Sequence, residues 1–221
     1  MAALKDLVAE VEIKPLPRRR MTEDEFVAWC DEDVKAEWVD GEVIVHSPAN
    51  IKHVRLDKFL LQVLDGFVTP HDLGEVIGPE FQIRLGALRR RRVPDILFVA
   101  KERLDILKPN HVEGAPDLVM EIVSPDSLAR DWRDKYLEYE AAGVREYWII
   151  EPMAERVEAY TLGFVVSAQP NGEDKHYARI DEEDDAIHST ALPGFYLKPA
   201  WLWQDPLPKV VEVLRELKVS G

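Results

Sequence analysis

Three short apolar runs in the middle of the chain constrain its fold more than any other feature. They occupy residues 93–100 (VPDILFVA), 117–124 (DLVMEIVS) and 146–150 (EYWII). The first two runs are too apolar to leave one face in water, so they predict central strands of a sheet that is covered on both sides, and the third run predicts a further strand. The chain therefore needs layers on both faces of one central sheet.

A helix is predicted between the second and third runs. Asp126 is its expected N-cap, the helix continues to about Ala142, and Gly143 stops it. A strand, a crossover helix and another apolar strand form a parallel βαβ step, which is right-handed in almost all proteins.

Other local signals predict elements before this unit. Thr22 and Glu25 form a capping-box pattern for a helix from Glu23 to Cys30. Asp40-Gly41 joins two apolar runs in a predicted hairpin.

A longer helix is expected from Ile51 to Leu64, with Asn50 as its N-cap and Gly66 ending it. Residues 74–85 (GEVIGPEFQIRL) are interpreted as one further strand-like run.

The predicted fold class is α/β with α+β character, with an antiparallel extension toward the C-terminus. We expect residues 1–20 to form an N-terminal arm and residues 21–205 the domain. Residues 206–221 are expected to form a C-terminal helix of that same domain.

Composition limits the classes of function. A single cysteine, Cys30, excludes an internal disulfide and a cysteine-rich zinc site. No stretch reaches the roughly 18 apolar residues of a membrane span, and no signal-peptide pattern is visible, so we expect a cytoplasmic protein without a membrane partner.

A net charge of −14 argues against a protein whose whole surface binds nucleic acid. Two arginine runs, 18–20 and 89–92, still allow a local basic rim.

Two acids are out of place in the apolar runs. Glu121 lies inside the second run, and Asp95 follows Pro94 at the head of a strand. A buried carboxylate is costly unless it is paired or binds a metal. Taken singly, Asp95 is interpreted as an exposed strand end and Glu121 as a salt-bridged core acid. Together on neighbouring strands they offer the oxygen ligands that Mg²⁺ or Mn²⁺ needs in a phosphoryl-transfer site.

Lys135 is predicted to complete this site. From Glu121 the strand advances about 10 Å to Ser124, at roughly 3.3 Å per residue. From Asp126 the helix returns about 13 Å to Lys135, at roughly 1.5 Å per residue. A helix that packs back along the sheet therefore brings Lys135 level with Glu121. The lysine then orients or activates the attacking water, stabilises the charge that develops on the phosphate, or serves as a structural counter-ion of the two acids.

These residues resemble a known family. Pro-Asp at 94–95, Glu-Ile-Val at 121–123 in a buried strand, and the stretch KYLEYEAAGVREYWIIEP at 135–152 are similar to the Uma-two family of restriction-endonuclease-like proteins. That family lies within the PD-(D/E)XK nuclease superfamily, and the resemblance runs from about Thr22 to Ala200. Where the superfamily has its lysine two residues after the glutamate, this chain has Val123, so Lys135 is interpreted as the displaced lysine.

The resemblance implies a restriction-endonuclease-like core, in which a central mixed β-sheet is flanked by helices, with a metal site at Asp95 and Glu121. It also implies a site role for His53, whose alternative is a partly exposed helix histidine. Glu80, on the strand before Asp95, is a further candidate metal ligand.

The second arginine run is expected to form a hairpin tip on the side from which nucleic acid approaches, because the run directly precedes Asp95. Its residues are Arg89, Arg90, Arg91 and Arg92. A solvated loop tip is the alternative interpretation.

The predicted activity is Mg²⁺- or Mn²⁺-dependent hydrolysis of phosphodiester bonds in DNA by a homodimer. The expected catalytic residues are Asp95, Glu121, Lys135 and His53. Two alternatives remain open, namely a non-catalytic binding or scaffold protein that keeps the nuclease fold, and a metal-dependent phosphoesterase for small substrates. A basic rim around Asp95 indicates nucleic acid, and an acidic rim indicates the alternatives.

Overall fold

The computed structural model describes residues 20–30, 34–124, 130–166 and 173–219. The expected helix start at Asp126 and nearly all of the expected N-terminal arm lie outside the described residues. The helices and strands are, in chain order, α1 (Glu23–Trp29), β1 (Ala36–Val39), β2 (Glu42–Val45), α2 (Ile51–Val68), β3 (Gly74–Ile77), β4 (Gln82–Leu85), β5 (Arg90–Arg92), β6 (Ile96–Ala100), β7 (Leu107–Lys108), β8 (His111–Glu113), β9 (Leu118–Ile122), α3 (Tyr136–Ala142), β10 (Glu146–Glu151), β11 (Arg156–Val166), β12 (Glu173–Ile180), β13 (Glu182–Glu183), β14 (Ala186–His188), β15 (Tyr196–Leu197), α4 (Pro199–Leu202) and α5 (Val210–Glu216).

Six strands form the central sheet in the order β12-β11-β10-β9-β6-β3. β9 and β10 are parallel, and the other neighbouring strands are antiparallel. The three apolar runs therefore supply adjacent interior strands, and the first two are central strands as predicted. A π-helical turn over Arg130–Lys135 leads into α3, which Gly143 ends with φ 87°, and the parallel βαβ step is confirmed.

Both faces of the central sheet are covered, which explains why its interior strands β6, β9 and β10 are mostly apolar. One face packs with α2 and α5 in the larger core and includes Ile96, Phe98, Met120 and Trp148. The alternate side chains, among them Leu97, Val119 and Ile149, pack on the other face against β4 and α3.

A second six-stranded sheet has the order β2-β1-β5-β4-β8-β7, and a small third sheet has the order β13-β14-β15. The second sheet contributes Ile83 and Leu85 to the core that contains Leu97. It therefore covers the central sheet on the face opposite α2. None of the described helices is long and apolar enough to cross a membrane.

The predicted capping box and the predicted hairpin turn are both present in the structure. Thr22 and Glu25 form a complete capping box at α1. Asp40 and Gly41 have φ values of 46° and 96° in the turn between β1 and β2, the left-handed backbone that a two-residue hairpin turn requires.

The predicted end of α2 at Gly66 is wrong, because the helix continues to Val68. A Cβ atom at Gly66 would lie 2.7 Å from Leu214 Cδ1. The glycine therefore permits the close approach of residue 214, just where α5 packs on α2, instead of terminating the helix.

The run over residues 74–85 is not one strand. It divides into β3 and β4, which belong to different sheets, with a turn that includes Pro79 and Glu80. Glu80 has φ 78°, a left-handed conformation that a strand cannot contain.

The expected hairpin tip at the second arginine run is wrong for Arg90–Arg92, and only Arg89 lies in the turn of the hairpin that β4 and β5 form. Arg90–Arg92 form β5, which lies inside the second sheet between β1 and β4. Arg89, with φ 55°, occupies the turn before this strand. An arginine run can form an interior strand here because acids from distant parts of the chain neutralise it, as described below.

Candidate active site

Asp95 and Glu121 lie opposite each other at one end of the central sheet. Ile96 pairs with Met120 in the antiparallel ladder of β6 and β9, so the next pair outward is Asp95 with Glu121. Directly opposite residues in such a ladder have Cβ atoms about 4.5–5.5 Å apart. Both side chains are buried, and this spacing allows the two carboxylates to reach one cation.

Asp95 is held by contacts from three elements. Its Oδ2 accepts a hydrogen bond of 2.8 Å from the backbone N–H of Ile122. His53 Nε2 lies 3.3 Å from Oδ1, and Lys35 Nζ lies 3.9 Å from the same oxygen. Burial alone raises the pKa of Asp95, but the hydrogen bond and charge of His53 outweigh it and lower that pKa. Asp95 is therefore held as a carboxylate.

Glu121 has a different environment. Its Oε1 lies 2.8 Å from Lys135 Nζ and accepts a hydrogen bond of 2.9 Å from the Tyr139 hydroxyl. Burial raises the pKa of Glu121 to about 8, against the opposing charge of Lys135 and with help from Asp131 and Asp95. A cation beside Glu121 would favour loss of this proton.

Lys135 is buried and stands among three carboxylates. Its Nζ lies 2.8 Å from Glu121 Oε1, 3.2 Å from Asp131 Oδ1 and 3.3 Å from Glu37 Oε1. Burial lowers its pKa, but the surrounding carboxylates outweigh this effect and raise that pKa well above its usual value. The structure thus brings Lys135 beside Glu121 and keeps its ammonium charged.

His53 also lies in the site. The Asn50 side chain caps α2 by accepting from the backbone N–H of His53, and this first turn directs the imidazole toward Asp95. Burial lowers the pKa of His53, but the hydrogen bond and charge of Asp95 prevail and raise it. One turn later, burial and the Asp95 charge raise the pKa of Asp57 to about 6.

Two cavities meet at Asp95. The smaller has a volume of about 230 Å³, and Glu121, Asp131 and Lys135 line it. The larger has a volume of about 730 Å³, and its walls include Asp57 and Glu80. His53 and Asp95 line both. Glu80 is exposed, in a turn and not on the strand where sequence reasoning placed it, and it lines the larger cavity without lining the smaller.

The second arginine run is occupied by internal ion pairs. Its contacts are Arg90 Nε to Glu138 Oε1 at 2.8 Å, Arg91 Nε to Glu23 Oε1 at 2.8 Å, Arg92 Nη1 to Glu37 Oε2 at 2.8 Å, Arg92 Nη2 to Glu138 Oε2 at 2.7 Å, and Arg89 Nη1 to Asp40 Oδ1 at 3.2 Å. Arg91 and Arg92 are buried. This network joins the second sheet to α1 and α3, so it gives little support to the expected role of the run in nucleic-acid binding.

Sequence reasoning missed Glu37, Asp131 and Lys35. Glu37 is completely buried in β1, where it accepts from the backbone N–H of Val93 and contacts Lys135. An acid between Ala36 and Trp38 is the same signal that identified Glu121, and it could have found this residue. Asp131 lies four residues before Lys135, so helical spacing could have found it.

The donor set fits a divalent metal ion such as Mg²⁺. Carboxylate oxygens are the ligands that this ion prefers, and three buried carboxylates here share one ammonium group. Asp131 Oδ1 is buried and accepts no hydrogen bond from the described residues, because its contact with Lys135 lacks hydrogen-bond geometry. Within the same residues, no group of three or more His, Cys, Asp or Glu side chains is already arranged as a metal site.

Comparisons with known proteins bear on the fold and the family of the chain. A comparison with curated proteins gives no match. A solved protein from Anabaena variabilis, described as "a putative nuclease belonging to DUF820", has a TM-score of 0.66 and 22% sequence identity, over 83% of this chain and 97% of that chain. This likeness confirms the restriction-endonuclease-like fold expected from the sequence. The Uma2 family model, described as "Putative restriction endonuclease", matches residues 23–200, and the chain therefore belongs to the Uma2 family.

Proposed function

We propose that this chain is a metal-dependent endonuclease that hydrolyses phosphodiester bonds in DNA. The observation that carries the proposal is the convergence of Asp95, Glu121 and Lys135 at one end of two adjacent strands. The description of the Uma2 family supports the same class of activity.

In this proposal Asp95 and Glu121 hold Mg²⁺ or Mn²⁺. The bound cation supplies a Lewis acid that polarises the scissile phosphate and lowers the pKa of a water molecule. Two carboxylates suffice from the protein, because Mg²⁺ usually takes its remaining ligands from water and substrate phosphates.

The cationic side chains act on the phosphate. Lys135 is held protonated by its three carboxylate neighbours, so it stabilises the developing negative charge instead of accepting a proton. His53 restrains Asp95 through its 3.3 Å contact and presents its ring to the same cavity. We also propose a homodimer, in which two sites address the two strands of a duplex; light scattering measures its mass.

Cleavage of plasmid DNA in Mg²⁺ or Mn²⁺ tests the proposal, with EDTA as the metal-free control. Asp95→Ala should reduce cleavage at least about a hundredfold, the size of effect typical for loss of a group that stabilises the transition state. The matched control is Asp117→Ala. Asp117 is also a buried aspartate beside β9, at the opposite end of that strand, and its variant should cleave DNA below its melting temperature.

Two further substrates separate the alternatives. Hydrolysis of a small phosphodiester without cleavage of DNA or RNA indicates a small-substrate phosphoesterase. Binding of DNA without any hydrolysis, by folded protein loaded with Mn²⁺, indicates a non-catalytic binding protein. Equal cleavage by the wild type and Asp95→Ala excludes the proposed site.

A further inference from the structure

A cavity outside the site lies between the first turns of α2 and the segment that joins α4 to α5. Its volume is about 670 Å³. Lys52, Arg55 and Lys58 line it from α2, and Trp203 and Leu207 line it from the other side. We call this cavity the α2 groove.

Lys52 donates a hydrogen bond of 2.9 Å from Nζ to the carbonyl oxygen of Pro152, but no acid among the described residues neutralises any of the three cations of the α2 groove. Lys52, Arg55 and Lys58 are exposed, and none has an ion-pair partner among residues 20–30, 34–124, 130–166 and 173–219. Arg90, by contrast, is neutralised internally. The chain has a net charge of −14, but three exposed cations without an acidic partner among the described residues form a local positive field that attracts anions.

The spacing of these cations suits a chain of phosphates. Lys52, Arg55 and Lys58 follow one another at intervals of three residues, which is about 4.5 Å along the helix axis per step. The row is therefore about 9 Å long along the helix axis, which is long enough for the cations to contact more than one phosphate of a strand that follows the groove. Asp205 is the one acid among the residues that line the groove, so positive charge predominates.

The opposite wall is apolar and contains an aromatic ring. Trp203 is half-buried, and Leu207 and Pro208 lie beside it. A basic row facing an aromatic wall is the arrangement that binds single-stranded nucleic acid, because phosphates contact the cations while an unpaired base stacks on the ring. A base pair inside a duplex does not offer its face in this way.

The α2 groove is also close to the candidate active site. His53 lies on the same turn of α2 as Lys52 and Arg55, but it faces the flank of the helix opposite the groove. An α-helix is about 10 Å across, so one turn of α2 separates the groove from the cavity that His53 and Asp95 line. Ile51, the first residue of α2, is 66% exposed.

We infer that the α2 groove binds a single-stranded segment of DNA that flanks the scissile phosphate. The inference rests on the proposed function for its substrate class. It implies that DNA with an unpaired flank is bound more tightly than a blunt duplex.

Fluorescence anisotropy in EDTA tests the inference, because it measures binding without cleavage. The probes are a labelled oligothymidylate and a labelled blunt duplex. Arg55→Glu/Lys58→Glu should weaken oligothymidylate binding by at least about tenfold and reduce its salt dependence. Lys108→Glu/Arg215→Glu makes the same charge change away from the groove and should weaken it much less.

Trp203→Leu distinguishes the contribution of base stacking on the indole ring from the attraction of phosphates to the cations. It should weaken oligothymidylate binding about tenfold, as expected for loss of one base–aromatic stack, and leave duplex binding and the salt dependence unchanged. Equal losses in the two double variants, or no loss in Trp203→Leu, would overturn the inference. So would a fall in molecular mass in Arg55→Glu/Lys58→Glu without a change in DNA binding, because the groove would then join two copies of the chain.

The outcomes also separate this inference from the proposed function. A wild type that binds oligothymidylate through the groove but never cleaves DNA contradicts the endonuclease proposal alone. A wild type that cleaves DNA while the groove variants bind normally contradicts the groove alone.

Discussion

Two groups of buried acids lie at opposite ends of the central sheet, and they differ in their partners more than in their burial. Asp117 and Glu146 are 1% and 0% exposed, and Asp95 and Glu121 are 6% and 3% exposed. Burial therefore does not distinguish a structural acid from a candidate catalytic one.

At the structural end, hydrogen-bond donors surround each carboxylate. Asp117 accepts from the backbone N–H of Ala100 at 2.9 Å and pairs with Arg103 at 2.8 Å. Glu146 accepts from the Trp148 indole, from the N–H and hydroxyl of Thr190, and from the N–H of Ala191. These acids fasten one segment of the chain to another.

At the site end, carboxylates face other carboxylates. Asp95 lies opposite Glu121 in the ladder, and Glu121 shares the ammonium of Lys135 with Glu37 and Asp131. An excess of buried negative charge is unfavourable for folding, and a cation relieves it. The comparison teaches that the balance of charge around a buried acid indicates its role.

The largest effect on stability is expected when the shared cation is removed. Lys135→Met should cost about 3–5 kcal/mol at pH 7, because the buried carboxylates of Glu37 and Asp131 lose their counter-ion and the carboxyl group of Glu121 loses its ammonium partner, and it should abolish cleavage. Urea unfolding at pH 7 and pH 5 measures the cost, which should be smaller at pH 5, where the acids can take up protons. Lys108→Met, at an exposed lysine, is the control. Unchanged stability at pH 7 would show that the acids do not depend on Lys135.

A smaller effect is expected at the structural end. Glu146→Gln turns an amide N–H₂ toward donors that need an acceptor, and it should cost about 2–3 kcal/mol. Urea unfolding measures the loss, and plasmid cleavage at low temperature should be retained. If Glu146→Gln stopped cleavage in folded protein, the functional distinction between the two ends would be lost.

The pH dependence of the free energy of unfolding also distinguishes the acids at the site end from those at the structural end. The pKa of Glu121 in the folded protein, about 8, lies above its ordinary value of 4.5, so the folded chain holds a proton that the unfolded chain releases between these values. Metal-free protein should therefore lose stability as the pH rises from about 5 to 8, by at most about 1.4 kcal/mol per pH unit from this group.

Thermal or urea unfolding in EDTA across this range measures the slope. Glu121→Gln should flatten it, whereas Glu146→Gln should leave it unchanged. Mg²⁺ should restore stability to the wild type at pH 8 and fail to do so in Glu121→Gln. A slope that survives in Glu121→Gln would assign the proton to another group.

The smallest effect is expected from the hydroxyl beside Glu121. Tyr139→Phe removes one hydrogen bond to Oε1 while Lys135 remains in place, so it should cost about 1 kcal/mol or about fivefold in cleavage rate. Steady-state kinetics on plasmid DNA measure the change. A loss as large as that of Asp95→Ala would make Tyr139 a member of the catalytic group.

Much of the fold could be predicted because its signals are local. The capping box at Thr22, the turn at Asp40-Gly41 and the stop at Gly143 each depend on a few adjacent residues. The first two apolar runs predict interior strands because continuous apolar character requires burial on both faces. Asp95 and Glu121 could be found because they interrupt those runs.

The remainder depends on partners that are distant in sequence. Arg92 can lie in an interior strand because Glu37 and Glu138 neutralise its charge. No local sequence pattern predicts such ion pairs. Gly66 ends no helix because Leu214 packs against it. Glu37 meets Lys135 because the second sheet packs beside the helical turn that precedes α3. The periodicity of the sequence does not predict this packing.

The binding of Mn²⁺ to metal-free protein tests the central claim most directly. Calorimetric titration of the wild type should show a single site per chain, and Asp95→Asn should weaken that site at least about tenfold. Asp117→Asn, the matched change at the structural end, should leave the affinity unchanged. Equal Mn²⁺ affinity in the wild type and Asp95→Asn, or no binding by folded wild type with DNA present, would contradict the assignment of Asp95 and Glu121 as the metal site.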